Sequence, residues 1–379
     1  MPPGHKLQLL SNLYGLKQAP LLWNEHLDGT LSKHGFCRSK HDPCVYRKQF
    51  TDGNFIILAI VVDDILAAAS HPAKLQWFAA CLRATYTITD LGVPAHMVGL
   101  VLACKPASIS INQNQFVKDL AAKYGQLNAN PAPTPVTPGT VPDGSSALLP
   151  ANNSYLSLAG SLLWVTVSRP DISVAVSIVC SKSINPTHAD WNAALRILRY
   201  LLATPHRALT FVPPTPTVPV VATYVDAAWA NAPRSRSRYG YIVCVYGCPV
   251  MWATKLTSIV CLSTAEAEYF AAVQAAKTAL WLARMLAEVL NATPPTVVLY
   301  EDNQACVRMA TNPIVSARNR HFAMRMWWLR DQVTTKTVAF RHVPTKSQLA
   351  DILTKILPAP LFGALCDELF SGRSLYYAP

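Results

Sequence analysis

The chain has 379 residues, 51% of them hydrophobic, and a formal net charge of +12. That length and apolar content exclude global disorder and allow two ordinary domains, or one domain and a large part of another. The basic surplus favours a polyanionic partner without naming a fold, and it equally describes a merely soluble basic protein.

Residues 1–127 mix helical and strand patterns. Pro20 suits the first turn of a helix running through Trp23, His26 and Leu27. Residues 55–62 form a continuous apolar run of buried-strand type that ends at Asp63-Asp64. Residues 72–86 read as helix, 108–111 as strand and 115–124 as helix. A linker rich in Pro and Ser, residues 128–153, cannot hold a helix. Residues 154–212 carry helical spacing in three runs, and a second Pro-rich break follows at 211–219.

Residues 220–358 carry the clearest pattern. Strands are expected at 220–224, 239–246 and 249–253, with Gly247 at the turn between the last two, and again at 258–262. A long helix over 264–290 follows, then a strand at 296–300 and a helix from Asn303. A helix at 319–333, a strand at 337–343 and a last helix at 347–355 complete the series, and 359–379 reads as a tail. This order implies an α+β or α/β fold whose mixed sheet has helices on its faces.

The ten cysteines include no C-x-x-C pair; the closest two are Cys244 and Cys248, so a structural zinc site is not expected. The opening Met1-Pro2-Pro3-Gly4 is not signal-like, and the longest apolar run is too short for a bilayer. A reducing intracellular setting, cytoplasmic or nuclear, with free thiols is expected.

Four acids share one kind of placement. Asp226 ends a strand, Glu268 lies in the first turns of the long helix, Asp302 follows a strand, and Asp351 lies on the final helix. Carboxylates that converge resist ionising unless cations sit between them. Acid-only oxygen sites suit Mg²⁺ or Mn²⁺, and two ions about 3.5–4 Å apart stabilise both the attacking and the leaving oxygen in phosphodiester cleavage. A lone Asp, by contrast, is more often a solvated loop or cap residue. Ser263-Thr264-Ala265-Glu266 fits a capping box, which makes Glu266 structural and leaves Glu268 as the site candidate. Glu301 is expected to face solvent, because neighbours on a strand point to opposite faces. Asp63 and Asp64 follow a fully apolar strand, where two adjacent acids are costly without a cation; a plain hairpin turn is the alternative.

Basic residues gather in two places. Arg234, Arg236 and Arg238 flank Tyr239, and Arg318, Arg320, Arg325 and Arg330 lie in or near one helical stretch with Trp327 and Trp328. Phosphate contacts of this kind make binding salt-dependent. The alternative is a solvated basic face with core tryptophans; the tryptophans are assigned to the core and the arginines to the surface. Lys17 is a weaker phosphate candidate.

The motifs resemble copia-type retrotransposon polyproteins. Leu13-Tyr14-Gly15-Leu16-Lys17-Gln18-Ala19-Pro20 with Trp23, and Val61-Val62-Asp63-Asp64-Ile65-Leu66, are similar to segments of their reverse transcriptases. Asp90-Leu91-Gly92, and Ser168-Arg169-Pro170-Asp171-Ile172 further on, resemble their palm and thumb. Tyr224-Val225-Asp226-Ala227-Ala228-Trp229, Ser263 to Tyr269, Tyr300-Glu301-Asp302-Asn303, Arg320-His321-Phe322 and His342 to Lys355 resemble their ribonuclease H domain, in family order.

This resemblance implies a partial reverse-transcriptase palm at 1–127, a helical thumb and connection at 154–212, and a ribonuclease H-like five-stranded mixed sheet flanked by helices at 220–358. It implies hydrolysis of the RNA strand of an RNA–DNA hybrid by two Mg²⁺ or Mn²⁺ ions held by Asp226, Glu268, Asp302 and Asp351. His342 would move protons or assist product release, unless it is a plain loop histidine. Asp63 and Asp64 would be metal-binding acids of the polymerase, with template and primer as its partners and no membrane. Three departures stand out. The first polymerase acid of the family lies upstream of the Leu13–Pro20 motif, Val61 replaces a family Tyr, and Asn231-Ala232 replaces Gly-Asp. The expectation is therefore a truncated palm that does not polymerise alone, in a piece of a longer polyprotein. A non-catalytic nucleic-acid-binding relic is the alternative.

Overall fold

A computed structural model describes residues 15–139, 145–312 and 322–371 of the chain. They divide into two compact units, one running to Pro94 and including Arg284–Thr293, the other holding Ala95–Ala283 and the residues from Pro294 onward.

In the first unit Pro20 starts helix α1 (Ala19–Lys33), where its missing N–H costs nothing. Strands β1 (Cys37–Arg38), β2 (Val45–Gln49), β3 (Phe55–Val61) and β4 (Asp64–Ala69) pair antiparallel in that order. The apolar run does not mark a strand buried on both faces. Ile56, Leu58 and Ile60 alternate inward and are buried against Leu27 and Leu31 of α1 and against Phe78 and Leu82 of α2 (Pro72–Arg83). An antiparallel sheet needs only one covered face, so the intervening apolar residues stay half-exposed.

The second unit opens with β5 (His96–Met97), β6 (Leu100–Lys105) and β7 (Ser108–Asn112), then helices α3 (Asn114–Lys123), α4 (Tyr155–Val165), α5 (Ser173–Ser181) and α6 (His188–Ala203), and β8 (Leu209–Phe211). Residues 95–127 thus do not join the sheet of the first block. β7 pairs with β8 through Ile109 and Phe211, and Val117 and Leu120 of α3 share a core with α4–α6. That partner strand lies about a hundred residues along the chain, beyond the reach of any local pattern. A Thr187–Asp190 capping box fixes the start of α6.

The rest of the unit is the mixed sheet that the sequence implies. Its strands are β9 (Val221–Ala232), β10 (Arg236–Val245) and β11 (Cys248–Leu256), which are antiparallel, then β12 (Val297–Glu301) and β13 (Val338–His342), which join parallel. The order is β11-β10-β9-β12-β13, with β9 central. Helix α7 (Thr264–Leu290) follows β11; α8 (Gln304–Thr311) and α9 (Ala323–Thr334) separate β12 from β13.

Three expectations fail here. Residues 258–262 are not a strand: the Thr257 hydroxyl accepts Ser237 N–H and donates to Ile259 O, turning the backbone away from pairing. The last helix is instead two 3-10 turns, Thr345–Ser347 and Leu349–Leu353. Ala359–Leu369, expected to open a tail, is instead helix α10, whose Phe362, Leu365, Cys366 and Leu369 are buried with Ala222 and Tyr224 of β9, Val298 of β12 and the α4–α6 helices. Among the described residues no helix is long and apolar enough to cross a membrane.

Candidate active site

The central strand carries Asp226, which is fully buried. Its partner on β10 is Gly240, where an added Cβ would stand 2.6 Å from Leu353 Cβ. The missing side chain lets the 3-10 turn bearing Asp351 press onto the sheet. At the start of α7, Ser263 Oγ accepts Glu266 N–H at 3.2 Å and the Glu266 carboxylate takes Leu262 N–H at 2.7 Å. Glu266 is therefore occupied with the cap, and Glu268, two residues on, is buried. On the far side of β9, β12 pairs in register up to Tyr224–Tyr300, and Glu301 and Asp302 follow.

Asp226, Glu268 and Asp302 each bring a carboxylate oxygen within 4.8 Å of the others. Asp351 falls outside that trio but is tied to it by Lys355, whose Nζ donates to Asp351 Oδ1 at 2.7 Å and to Asp226 Oδ1 at 3.0 Å. Thr354 Oγ1 donates to the other oxygen of Asp226.

Glu301 does not face solvent. It is fully buried, and Asp302 is the partly exposed member of the pair. β12 ends at Glu301 and has a neighbour on each side, so the alternation argument stops one residue too early to apply to Asp302. Glu301 Oε1 accepts Asn303 N–H, while Oε2 of Glu301 and Oε2 of Glu268 are buried with no hydrogen-bond partner.

These surroundings disfavour charge. Burial, then Glu301, Asp226 and Asp302, push the Glu268 carboxyl well above the usual carboxylate range. Burial raises Glu301 as well, with Asp226 and Asp302 adding to it and the Asn303 N–H opposing. Asp351 is pushed up to about 7 by burial and by Asp226, which together outweigh the attraction of Lys355. Burial alone would lower the Lys355 ammonium, yet Asp226 and Asp351 hold it above its ordinary range. Buried acids with unpartnered oxygens form an all-oxygen donor set that fits a hard divalent cation.

The other sequence candidates scatter. His342 ends β13, exposed, in register with Glu301. Arg234 is exposed on a 3-10 turn (Pro233–Ser235). Arg236 instead spends its Nε on Thr257 O, and Arg238 is buried and donates to Ser177 Oγ at 2.7 Å. Arg330 is also buried, on Met309 O, whereas Trp327 is 54% exposed, so core and surface are the reverse of the expectation for this pair. Arg318 and Arg320 lie outside the described residues. In the first unit Asp63 and Asp64 are exposed at the tight β3–β4 turn, and Lys17 is exposed ahead of α1. Among the described residues no third acid gathers with Asp63 and Asp64.

The residues missed by the sequence reading are Lys355, Thr354 and Glu301. Lys355 could have been found, because it stands four residues after Asp351, the spacing of an i,i+4 ion pair.

Residues 3–138 match the reverse transcriptase (RNA-dependent DNA polymerase) family. A putative transposon Ty5-1 protein of Saccharomyces cerevisiae is 32% identical over 278 residues, which cover 71% of the chain and 88% of that protein. The retrovirus-related Pol polyprotein from transposon TNT 1-94 of Nicotiana tabacum is 33% identical over 382 residues, covering 97% of the chain and 28% of that protein.

The chain belongs to the copia-type retrotransposon Pol polyproteins.

It spans about a quarter of the length of the plant polyproteins of this family. Among solved structures, LC11-RNase H1 in complex with RNA/DNA hybrid is 15% identical, covering 35% of this copia-type chain and 93% of the other, with a TM-score of 0.27.

Proposed function

We propose that this chain is a ribonuclease H that hydrolyses the RNA strand of RNA–DNA hybrids with the help of two Mg²⁺ or Mn²⁺ ions. The observation that carries this reading is the meeting of Asp226, Glu268 and Asp302 within 4.8 Å, from three separate elements. Asp226, Glu268, Asp302 and Asp351 would hold the ions. Bound there, the ions would supply Lewis-acid stabilisation of a phosphoryl group and a water activated for attack.

The protein's own contribution is rigidity and charge. Asp226 is fixed by the central strand and by Thr354, and Glu268 by a capped helix. Glu301, a buried acid next to Asp302 in the chain, would support the trio without holding an ion. His342, exposed and in register with Glu301, would carry protons between the reaction and solvent. Arg234 would bind backbone phosphates of the hybrid, with recognition by shape and 2′-OH groups more than by sequence. In the first unit, Lys17, Asp63 and Asp64 would belong to the template and primer path of the reverse-transcriptase segment. With only two exposed acids gathered there among the described residues, templated DNA synthesis by this chain is expected at background.

The test is cleavage of a labelled RNA–DNA hybrid in Mg²⁺ by the wild type and by Asp226→Asn. Loss of cleavage in the variant is expected. Equal cleavage by both would end the enzyme reading and leave a nucleic-acid-binding relic.

A further inference from the structure

The acid cluster holds a cation of its own. Lys355 Nζ lies 2.7 Å from Asp351 Oδ1 and 3.0 Å from Asp226 Oδ1, bridging two carboxylates assigned above to ion binding. The trio of Asp226, Glu268 and Asp302 approaches within 4.8 Å without including Asp351. Glu268 retains a buried oxygen with no partner, whereas both Asp351 Oδ1 and Asp226 Oδ1 are taken by the ammonium. The cluster therefore has two unequal halves: one short of positive charge, the other supplied with it.

We infer that Lys355 is a resident counter-cation, one that holds Asp226 and Asp351 together in the ion-free protein and leaves when the second divalent ion is taken up. Two neighbouring acids in a buried site repel, and a single positive charge placed between them removes most of that cost. An ammonium and a divalent ion drawn to the same carboxylate oxygens stand only a few ångströms apart and repel each other, so the two compete. Lys355 can leave because its side chain is 34% exposed and its stem is long and flexible. Its departure places a positive charge at the rim of the site, where a backbone phosphate of the hybrid would lie. Lys355 is on this account a positioning residue: it acts through Asp226 and Asp351, and it makes the two ion sites fill in order.

This inference rests on the proposed function, and a binding measurement separates the two. The full chain, without nucleic acid, is titrated with Mn²⁺ while free Mn²⁺ is followed by electron paramagnetic resonance. The wild type is expected to bind one Mn²⁺ and then a second at least about tenfold more weakly. Lys355→Met should tighten the second step by about tenfold or more, while Lys355→Arg should keep the wild-type pattern. The ion-free Lys355→Met protein should also melt at a lower temperature than the wild type and gain more from saturating Mn²⁺. Two equal sites in the wild type, or an unchanged second step in Lys355→Met, would overturn the role of Lys355 alone. No Mn²⁺ binding by the wild type would instead sink the hydrolase reading itself. Should Lys355→Met not fold, the wild-type curve still decides, because equal sites contradict the inference without any variant.

Discussion

Asp226 on β9 and Asp302, one residue past the end of β12, each stand two residues beyond the Tyr224–Tyr300 pair. The ladder between β9 and β12 ends at that pair, so the two acids flank the place where the strands part. Their carboxylate oxygens already lie within 4.8 Å of each other and of Glu268, which leaves no slack for a longer side chain. Asp226→Glu should therefore be nearly as damaging as Asp226→Asn. The expected loss in hybrid cleavage is about a thousandfold for either, equivalent to several kcal/mol of transition-state stabilisation. A Glu variant that retains a tenth or more of the wild-type rate would contradict this geometry.

Glu301 and Asp302 should separate by substitution. As a buried support, Glu301 replaced by Gln should cost about ten- to a hundredfold in activity, the range of residues one layer behind metal ligands. Asp302→Asn should cost about a thousandfold. Mn²⁺ binding, measured by calorimetry, should survive in Glu301→Gln and weaken in Asp302→Asn. The reverse order would make Glu301 the ligand.

Gly240→Ala tests the pressing of the Asp351 turn onto β10. The new methyl group would meet Leu353 Cβ at 2.6 Å and the backbone oxygens of Ala253 and Leu353 at 3.1 Å. Overpacking of this kind should cost about 1–3 kcal/mol in a urea melt, with activity falling as Asp351 and Lys355 shift. An unchanged midpoint would show that the turn is free to move.

The Ser168 to Ile172 motif makes a separate prediction about stability. Arg169 grips Asp171 with two hydrogen bonds, at 2.9 and 2.7 Å, and Tyr200 donates to the same carboxylate. Burial alone would raise the Asp171 carboxyl, but Arg169 and Tyr200 hold it below its ordinary range. A depressed acid contributes stability above its unfolded value, about pH 4, and loses it as pH falls through the folded value. Asp171→Asn should cost about 3–5 kcal/mol at neutral pH, because Arg169 is left buried without its partner. The gap between wild type and variant should narrow below about pH 4 in denaturant melts. A constant gap across that range would assign the stability to something other than this pair.

Local chemistry was legible in the sequence, and distant pairing was not. The Ser263–Glu266 cap could be read directly, since every atom of it lies within one turn of chain. The mixed sheet was legible because its strands are rich in apolar residues and set off by turns. The burial of Glu301 depends on two neighbouring strands, one of them about eighty residues back, and no periodicity announces them. The pairing of β7 with β8, which draws residues 95–127 into the second unit, escapes local pattern for the same reason. Arg236, Arg238 and Arg330 looked like a phosphate-binding surface by composition alone; each instead satisfies a hydroxyl or carbonyl oxygen of the fold.

Helix α10 has a practical corollary for anyone expressing this protein. It follows the last acid of the candidate site, yet Phe362 and Leu365 lie in the same core as helices that precede the first, and Arg207, just past the end of α6, reaches Asp367 at 3.0 Å. A chain trimmed to the sheet and its acids would expose Ala222, Tyr224 and Val298 to water and invite aggregation. The sheet with its acids is thus not a detachable cassette: it shares one core with the helices before it and with α10 after it, and the end of α7 with the residues just after it, Arg284–Thr293, belongs to the unit that runs to Pro94.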